Sequence, residues 1–241
     1  RLLVNAASAE ALALGRAVGA RTYGMSPDAQ ARLDVASVGP ARATGTLHAP
    51  AGKLALDVPQ PGAHNLENAA AAALIALELG IAPRAVEEAL RRFPGVARRF
   101  ELIGVTPAGV RVVDDYAHNG EKIRAALTTA QAGAARVVAV FQPHGYGPAR
   151  FLRPELRELL PRLLRPADRF CYAEIFYAGG TVTRDVSSRM LADDLPAALH
   201  CAYAPDHPTV VSWIAAEARP GDTVLLMGAR DPDLPALARK V

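Results

Sequence analysis

The chain has 241 residues, 51% of them hydrophobic and 21% charged, with 19 glycines and 19 prolines. That balance belongs to a folded globular protein and excludes a disordered, collagen-like or low-complexity chain. Formal charge is +3, almost all of the basic side is arginine, and the only lysines are Lys53, Lys122 and Lys240. The arginines are scattered, no run of five basic residues occurs and aromatics make up 5%, so nucleic acid is not the expected partner. Guanidinium groups fork onto phosphate or carboxylate, which points to a small anionic ligand. The apolar run 69–77 stops at nine residues, where a membrane span needs about 20, so no membrane partner is expected either.

In chain order, a short apolar strand over 1–5 leads to Ser8, a candidate helix cap, and an amphipathic helix to about residue 18. A strand over 20–24 then closes a βαβ unit. Three short strands follow at 32–38, 41–48 and 53–58, the last two read as a hairpin across LHAPAGKLALDV. Helices are expected at 65–79 and 83–93, the second with Pro83 in its first turn. Pro94-Gly95 and the Arg98-Arg99 pair mark a domain boundary, giving domains 1–98 and 99–241.

Beyond that boundary, strands at 100–105, 109–115, 136–141, 168–173 and 222–228, with a weak one near 200–203, alternate with helices. The helices are expected at 120–132, 150–164, 187–195, 208–218 and 232–240. Continuous apolar runs such as VVAVF and TVLLM predict an α/β fold whose sheet is mostly parallel, Rossmann-like, with helices on both faces. Ligands of such sheets bind outside the carboxyl ends of the strands, so polar residues just past a strand are the candidates.

Three clusters meet that condition. His64, Asn65 and Asn68 open the alanine-rich helix, where amides either cap the helix or hydrogen-bond a planar heterocycle. Asp114, Asp115, Tyr116, His118 and Asn119 follow a buried strand. Strand side chains alternate, so only one of the two carboxylates can enter a site. Asn119 there is either a helix cap or a ligand contact. His144, Tyr146 and Arg150 lie on a Gly/Pro-shaped loop after VVAVF, where glycine lets backbone approach a ligand and arginine can clamp an anion. Tyr177-Ala178-Gly179-Gly180-Thr181 and Met227-Gly228-Ala229-Arg230-Asp231 repeat the strand-then-glycine design more weakly.

Phosphate-loop, dinucleotide-binding, nucleophile-elbow and HExxH motifs are absent from the sequence, and no residues have zinc-ligand spacing. Cys171 and Cys201 read as buried free thiols in a reducing compartment. The opening on Arg1, straight into a strand, raises the expectation of a piece of a longer chain.

PGAHNLENAAAA, FPGVARRFELIG, VVDDYAHNGEKI, VAVFQPHGYG and GDTVLLMGA, in this order, resemble the Mur ligase family of peptidoglycan synthesis, most closely its alanine-adding branch and related muropeptide ligases. HNxxN, RRFE, DDYAH and FQPH carry the likeness. The resemblance implies the last part of a central ATPase domain over 1–98 and a whole carboxy-terminal domain after it, with further domains of the same chain upstream. It implies a cytoplasmic enzyme that uses ATP and magnesium to activate a carboxylate as an acyl-phosphate. An amine then displaces phosphate, with a UDP-muramoyl substrate and an amino acid or peptide as partners.

By that resemblance His64, Asn65, Asn68, Arg99, Asp115, Tyr116 and Asn119 would bind the nucleotide. His118 and His144 would be catalytic, Tyr146 and Arg150 would bind substrate, and no metal ligand falls in this stretch. The segment alone is expected to be inactive. Asn119-Gly120 replaces the branch's His-Pro, Gly145 stands for its first arginine after FQPH, and Arg230 stands where glycine is common. Those departures fall on the amino-acid side and leave open a ligase of the same superfamily for another acid, folylpolyglutamate- or cyanophycin-like. A non-catalytic nucleotide-binding module is the other alternative.

Overall fold

A computed structural model describes residues 2–50 and 52–241. Arg1, at the head of the first expected strand, and Ala51, in the expected hairpin turn, lie outside the described residues. The chain divides into two compact units that meet between Gly95 and Val96. Arg98 and Arg99 therefore fold with the second unit.

In the first unit β1 (Leu3–Asn5), α1 (Ala9–Ala17) and β2 (Arg21–Gly24) form the βαβ turn. The Ser8 hydroxyl accepts the Ala11 N–H at 3.1 Å and caps α1. β3 (Ala31–Val38), β4 (Ala43–Ala49) and β5 (Gly52–Val58) extend the sheet in the order β1-β2-β3-β4-β5. β1, β2 and β3 run parallel, whereas β3, β4 and β5 pair antiparallel. Alternate residues Leu54, Leu56 and Val58 are buried, as the period of two in a half-covered strand requires.

The cover over this sheet is α2 (Ala63–Glu78), followed by α3 (Pro83–Arg91). Leu66, Ala69, Ala70, Ala73 and Leu74 are the buried residues of α2, one stripe at helical spacing. Its alanines let the helix sit close to Leu33, Leu47 and Leu54.

The second unit contains β6 (Glu101–Val105), β7 (Arg111–Asp115), α4 (Gly120–Ala132), β8 (Val137–Gln142), α5 (Tyr146–Leu163) and β9 (Arg169–Ala173). It continues with α6 (Ser188–Asp193), β10 (Cys201–Ala204), α7 (His207–Glu217), β11 (Thr223–Gly228) and α8 (Leu234–Ala238). The strand order is β10-β9-β8-β11-β7-β6. All neighbours are parallel except β6 and β7. The exception follows from the connection: the turn closed by Thr106 N–H to Val110 O at 2.8 Å is far too short for a parallel crossover.

Every residue of β8 and β11 is buried. Val113, Ala139 and Phe141 face α4, α5 and α6, while Val112, Val138, Val140 and Leu226 face α7 and α8. Each buried valine, leucine or phenylalanine among these contributes roughly 1.5–3 kcal/mol of hydrophobic transfer energy. Cys171 and Cys201 are free, and burial pushes both thiols up to about 12.

Helix α5 starts at Tyr146, ahead of the expected 150. Pro148 falls in its first turn, where a missing N–H costs nothing. No helix among the described residues is long and apolar enough to cross a membrane.

Candidate functional site

The chain returns from β10 through α7 to place β11 between β7 and β8. Helices α4 and α5, which follow β7 and β8, cover one face, and α8, which follows β11, covers the other. The carboxyl ends of these three strands therefore flank a topological switch point, the usual ligand crevice of such sheets.

Past β7, strand alternation sends the two carboxylates to opposite faces. Asp114 pairs with Arg98, whose Nε donates at 3.1 Å and whose Nη2 donates to the Gly228 carbonyl at 2.9 Å, tying the ends of β7 and β11 together. Asp115 Oδ2 accepts the Phe100 N–H and Oδ1 the Ala117 N–H, each at 2.7 Å. Burial raises both acids above the usual carboxylate range; Arg98 opposes this at Asp114, and at Asp115 the two amides and Arg99 do so.

Arg98 (φ 60°) and Phe100 (φ 51°) occupy the left-handed region, so a strained turn presents Arg99 between them. The guanidinium carbons of Arg98 and Arg99 lie 5.0 and 5.8 Å from the Tyr116 ring centroid. Tyr116 packs edge-on to His118 at 5.5 Å, and His118 packs in the same way on His144, also at 5.5 Å.

His118 Nδ1 lies 2.8 Å from the Tyr116 carbonyl. A carbonyl can only accept, so Nδ1 carries the proton and a neutral His118 has its lone pair on Nε2. Burial, with His118 and Arg230 nearby, lowers the His144 pKa below its ordinary 6.5 and favours the neutral ring at pH 7. Arg230 is exposed and also left-handed, at φ 67°. Asn119 Oδ1 accepts the Lys122 N–H at 3.0 Å; capping α4 is the role the structure gives this side chain.

Past β8, Gly145 N–H donates to the Phe176 carbonyl at 2.8 Å and Phe176 N–H to the Pro143 carbonyl at 2.9 Å. This bridge joins the loop after β8 to the loop after β9. Tyr146 and Tyr177 leave it edge-to-face, with centroids 5.1 Å apart. Arg150 is exposed and hydrogen-bonded to Asp185 and to the Thr183 carbonyl.

The remaining candidates belong to the first unit. Gly62, at φ 92°, is the N-cap of α2 and no side chain caps the helix. The capping alternative for the asparagines is therefore not realised. Asn65 Nδ2 instead donates to the Pro61 carbonyl at 2.7 Å, which leaves its Oδ1 as an acceptor. His64 is half-buried and Asn68 exposed.

Sequence reasoning thus brought His118, His144 and Tyr116 to one place. It gave Tyr177 and Arg230 only as members of weaker clusters, and it missed Arg98 and Arg184 as neighbours of that place. The adjoining Arg98-Arg99 pair and the weak glycine motifs after β9 and β11 were the only signals. Among the described residues no group of three His, Cys, Asp or Glu side chains is placed to hold a metal ion.

Comparison with known proteins fits this arrangement. Residues 98–230 match the family model described as Mur ligase, glutamate ligase domain. The chain belongs to the Mur ligase family. It is 41% identical over 222 residues to a UDP-N-acetylmuramate–L-alanine ligase of Kineococcus radiotolerans, covering 91% of this chain and 46% of that protein.

Among solved structures it resembles a UDP-N-acetylmuramate–alanine ligase from Thermotoga maritima, with TM-score 0.70, 26% identity, and 91% of this chain and 46% of that one covered. A MurF ligase from the same organism, solved in complex with ADP, shares the fold at TM-score 0.65 and 16% identity, with 92% and 48% covered. The chain spans about half the length of the curated relatives it matches.

Proposed function

We propose that this chain forms part of an ATP-dependent ligase that joins an amino acid or peptide to a UDP-N-acetylmuramoyl carboxylate, in peptidoglycan synthesis or recycling. The observation that carries the reading is the contact of His118 with His144 at 5.5 Å. It joins two strand-end motifs at a switch point, in a chain related to an alanine-adding ligase.

ATP supplies the phosphoryl group that turns the substrate carboxylate into an acyl-phosphate. The acceptor nitrogen then attacks the carbonyl carbon, the carbon–oxygen bond to phosphate breaks, and the nitrogen gives up a proton. His144, with its pKa lowered and its ring neutral at pH 7, accepts that proton, a step generally worth about 10²–10⁴-fold in rate. His118 sets the edge against which His144 is held.

Arg99 and Arg230, both exposed, face the charge on the phosphate groups, the interaction that dominates such transfers. In the second unit Tyr116, with Arg99 beside it, has an aromatic face and a cation suited to a nucleotide; in the first, Asn65, whose Nδ2 donates to Pro61, keeps an amide oxygen that can accept from a base. His64 and Asn68 join Asn65 in binding the base. Asp115 keeps a second lone pair on each oxygen for ribose hydroxyls while its backbone bonds hold the Arg99 turn.

The test is phosphate release by the full-length protein with ATP, UDP-N-acetylmuramate and, in turn, each of the twenty standard amino acids and a mixture of peptidoglycan-derived peptides. Release that requires all three components is expected. ATP binding without acceptor-dependent release would overturn the ligase and leave a nucleotide-binding module.

A further inference from the structure

Arg150, the arginine that the family resemblance assigns to substrate, is already engaged. Its guanidinium binds Asp185 through Nε and Nη2, and Nη2 also reaches the Thr183 carbonyl at 3.1 Å. Those two partners flank Arg184 in the chain. The Arg184 guanidinium carbon lies 4.5 Å from the Tyr177 ring centroid and 5.6 Å from that of Tyr146. It is exposed, and no carboxylate among the described residues lies within ion-pair distance of it. The Tyr177 hydroxyl beside it is buried without a hydrogen-bond partner. Both tyrosines leave the backbone bridge on which His144 pairs with Phe176.

We propose that Arg184 holds the carboxylate of the incoming amino acid, that Tyr146 and Tyr177 set the position of its guanidinium, and that Arg150 is a positioning residue acting through Asp185 and Thr183. The inference rests on the ligase reading and deepens it. In an amino acid the carboxylate lies two bonds from the amine nitrogen, so its holder has to sit on the same loops as the group that takes the amine proton. Arg184 satisfies this through the bridge next to His144. A guanidinium with aromatic rings on one side still offers N–H donors on the other, and their fork matches a planar carboxylate. Arg150, in the first turns of α5, is exposed too but is consumed by Asp185.

The test uses the full-length enzyme, the best of the twenty L-amino acids as acceptor, and the amide of that same amino acid. Arg184→Gln is expected to raise the acceptor KM about tenfold or more and to leave the KM for ATP within about twofold. The amide lacks the carboxylate, so its KM should be the same for wild type and R184Q. Arg184→Lys should recover only part of the loss, since an ammonium cannot fork. Arg150→Gln should raise the acceptor KM less than R184Q does. An unchanged acceptor KM in R184Q, or an equal rise for acid and amide, overturns the assignment. A wild-type enzyme that releases phosphate only with a peptide acceptor overturns the assignment and keeps the ligase reading; one that releases none with any amino acid or peptide overturns both.

Discussion

Asp115 fastens Phe100: its Oδ2 accepts the Phe100 N–H at 2.7 Å while its Oδ1 accepts the Ala117 N–H at the same distance. These two bonds hold the left-handed turn that carries Arg98, Arg99 and Phe100 against the end of β7. Asp115→Ala leaves two buried amides without acceptors, a loss of about 2–4 kcal/mol. The same change releases Arg99 from beside Tyr116, so the KM for ATP should rise or turnover should be lost. Urea unfolding and an ATP titration check both effects. A variant within 1 kcal/mol of wild type and with wild-type ATP kinetics removes the fastening role and the nucleotide role together.

His144 gives a pH prediction. Its pKa lies below 6.5 because burial, His118 and Arg230 all oppose the charged ring. The neutral form is the proton acceptor, so activity present near pH 7 is lost as pH falls through that lowered value. The acid limb of kcat at saturating acceptor should therefore lie below 6.5. His144→Ala should cost about 10²–10⁴-fold in kcat, with acceptor use hurt more than nucleotide binding. A limb at or above 6.5, or one that survives in H144A, assigns the proton transfer elsewhere.

The elements were legible because their signals are local. Apolar runs gave the strands to within a few residues, Ser8 and Pro83 marked helix starts, and the Ala-Pro-Ala-Gly turn marked the hairpin of β4 and β5. The position of β11 was not legible. Nothing in TVLLMG says that it pairs with both β7 and β8, yet that insertion brings Gly228 to Arg98 and Arg230 to His144. The role of Arg150 escaped for a similar reason: its partner Asp185 sits on a loop whose path only the folded chain defines. Asn65 and Asn119 each sit where the sequence allows a cap or a ligand contact. The structure resolves the cap for Asn119 alone, because Gly62 starts α2 and draws the Asn65 amide back to Pro61.

Away from the site, Asp168 organises the start of β8. Its side chain is fully buried and accepts from the N–H groups of Val137 and Arg165, from Gln131 Nε2 and from the Arg165 guanidinium. Burial alone would raise its pKa, but the Arg165 and backbone donors outweigh it and hold the carboxyl below the usual range. A lowered folded-state pKa contributes stability that is present above the unfolded value, about 3.9, and lost as pH falls through the folded one. Asp168→Asn should cost about 3 kcal/mol at pH 7, and the gap from wild type should narrow as pH drops below about 4. Denaturant unfolding at pH 7 and pH 2.5 measures it. An equal gap at both values would mean that the carboxylate charge contributes nothing.

Arg230 separates backbone strain from charge. At φ 67° an L-residue is strained where glycine is not, a difference of about 1 kcal/mol. The side chain is exposed, so little packing is lost when it is removed. Arg230→Gly should therefore stabilise the fold by about 0.5–1 kcal/mol. It also removes one of the charges that depress His144, so the acid limb of kcat should move to higher pH. Arg230→Gln removes the same charge and keeps the side chain in the left-handed region. It should move the limb equally and leave stability near wild type. If R230G gains no stability over R230Q, the left-handed turn carries no strain. If neither variant moves the limb, Arg230 does not act on His144.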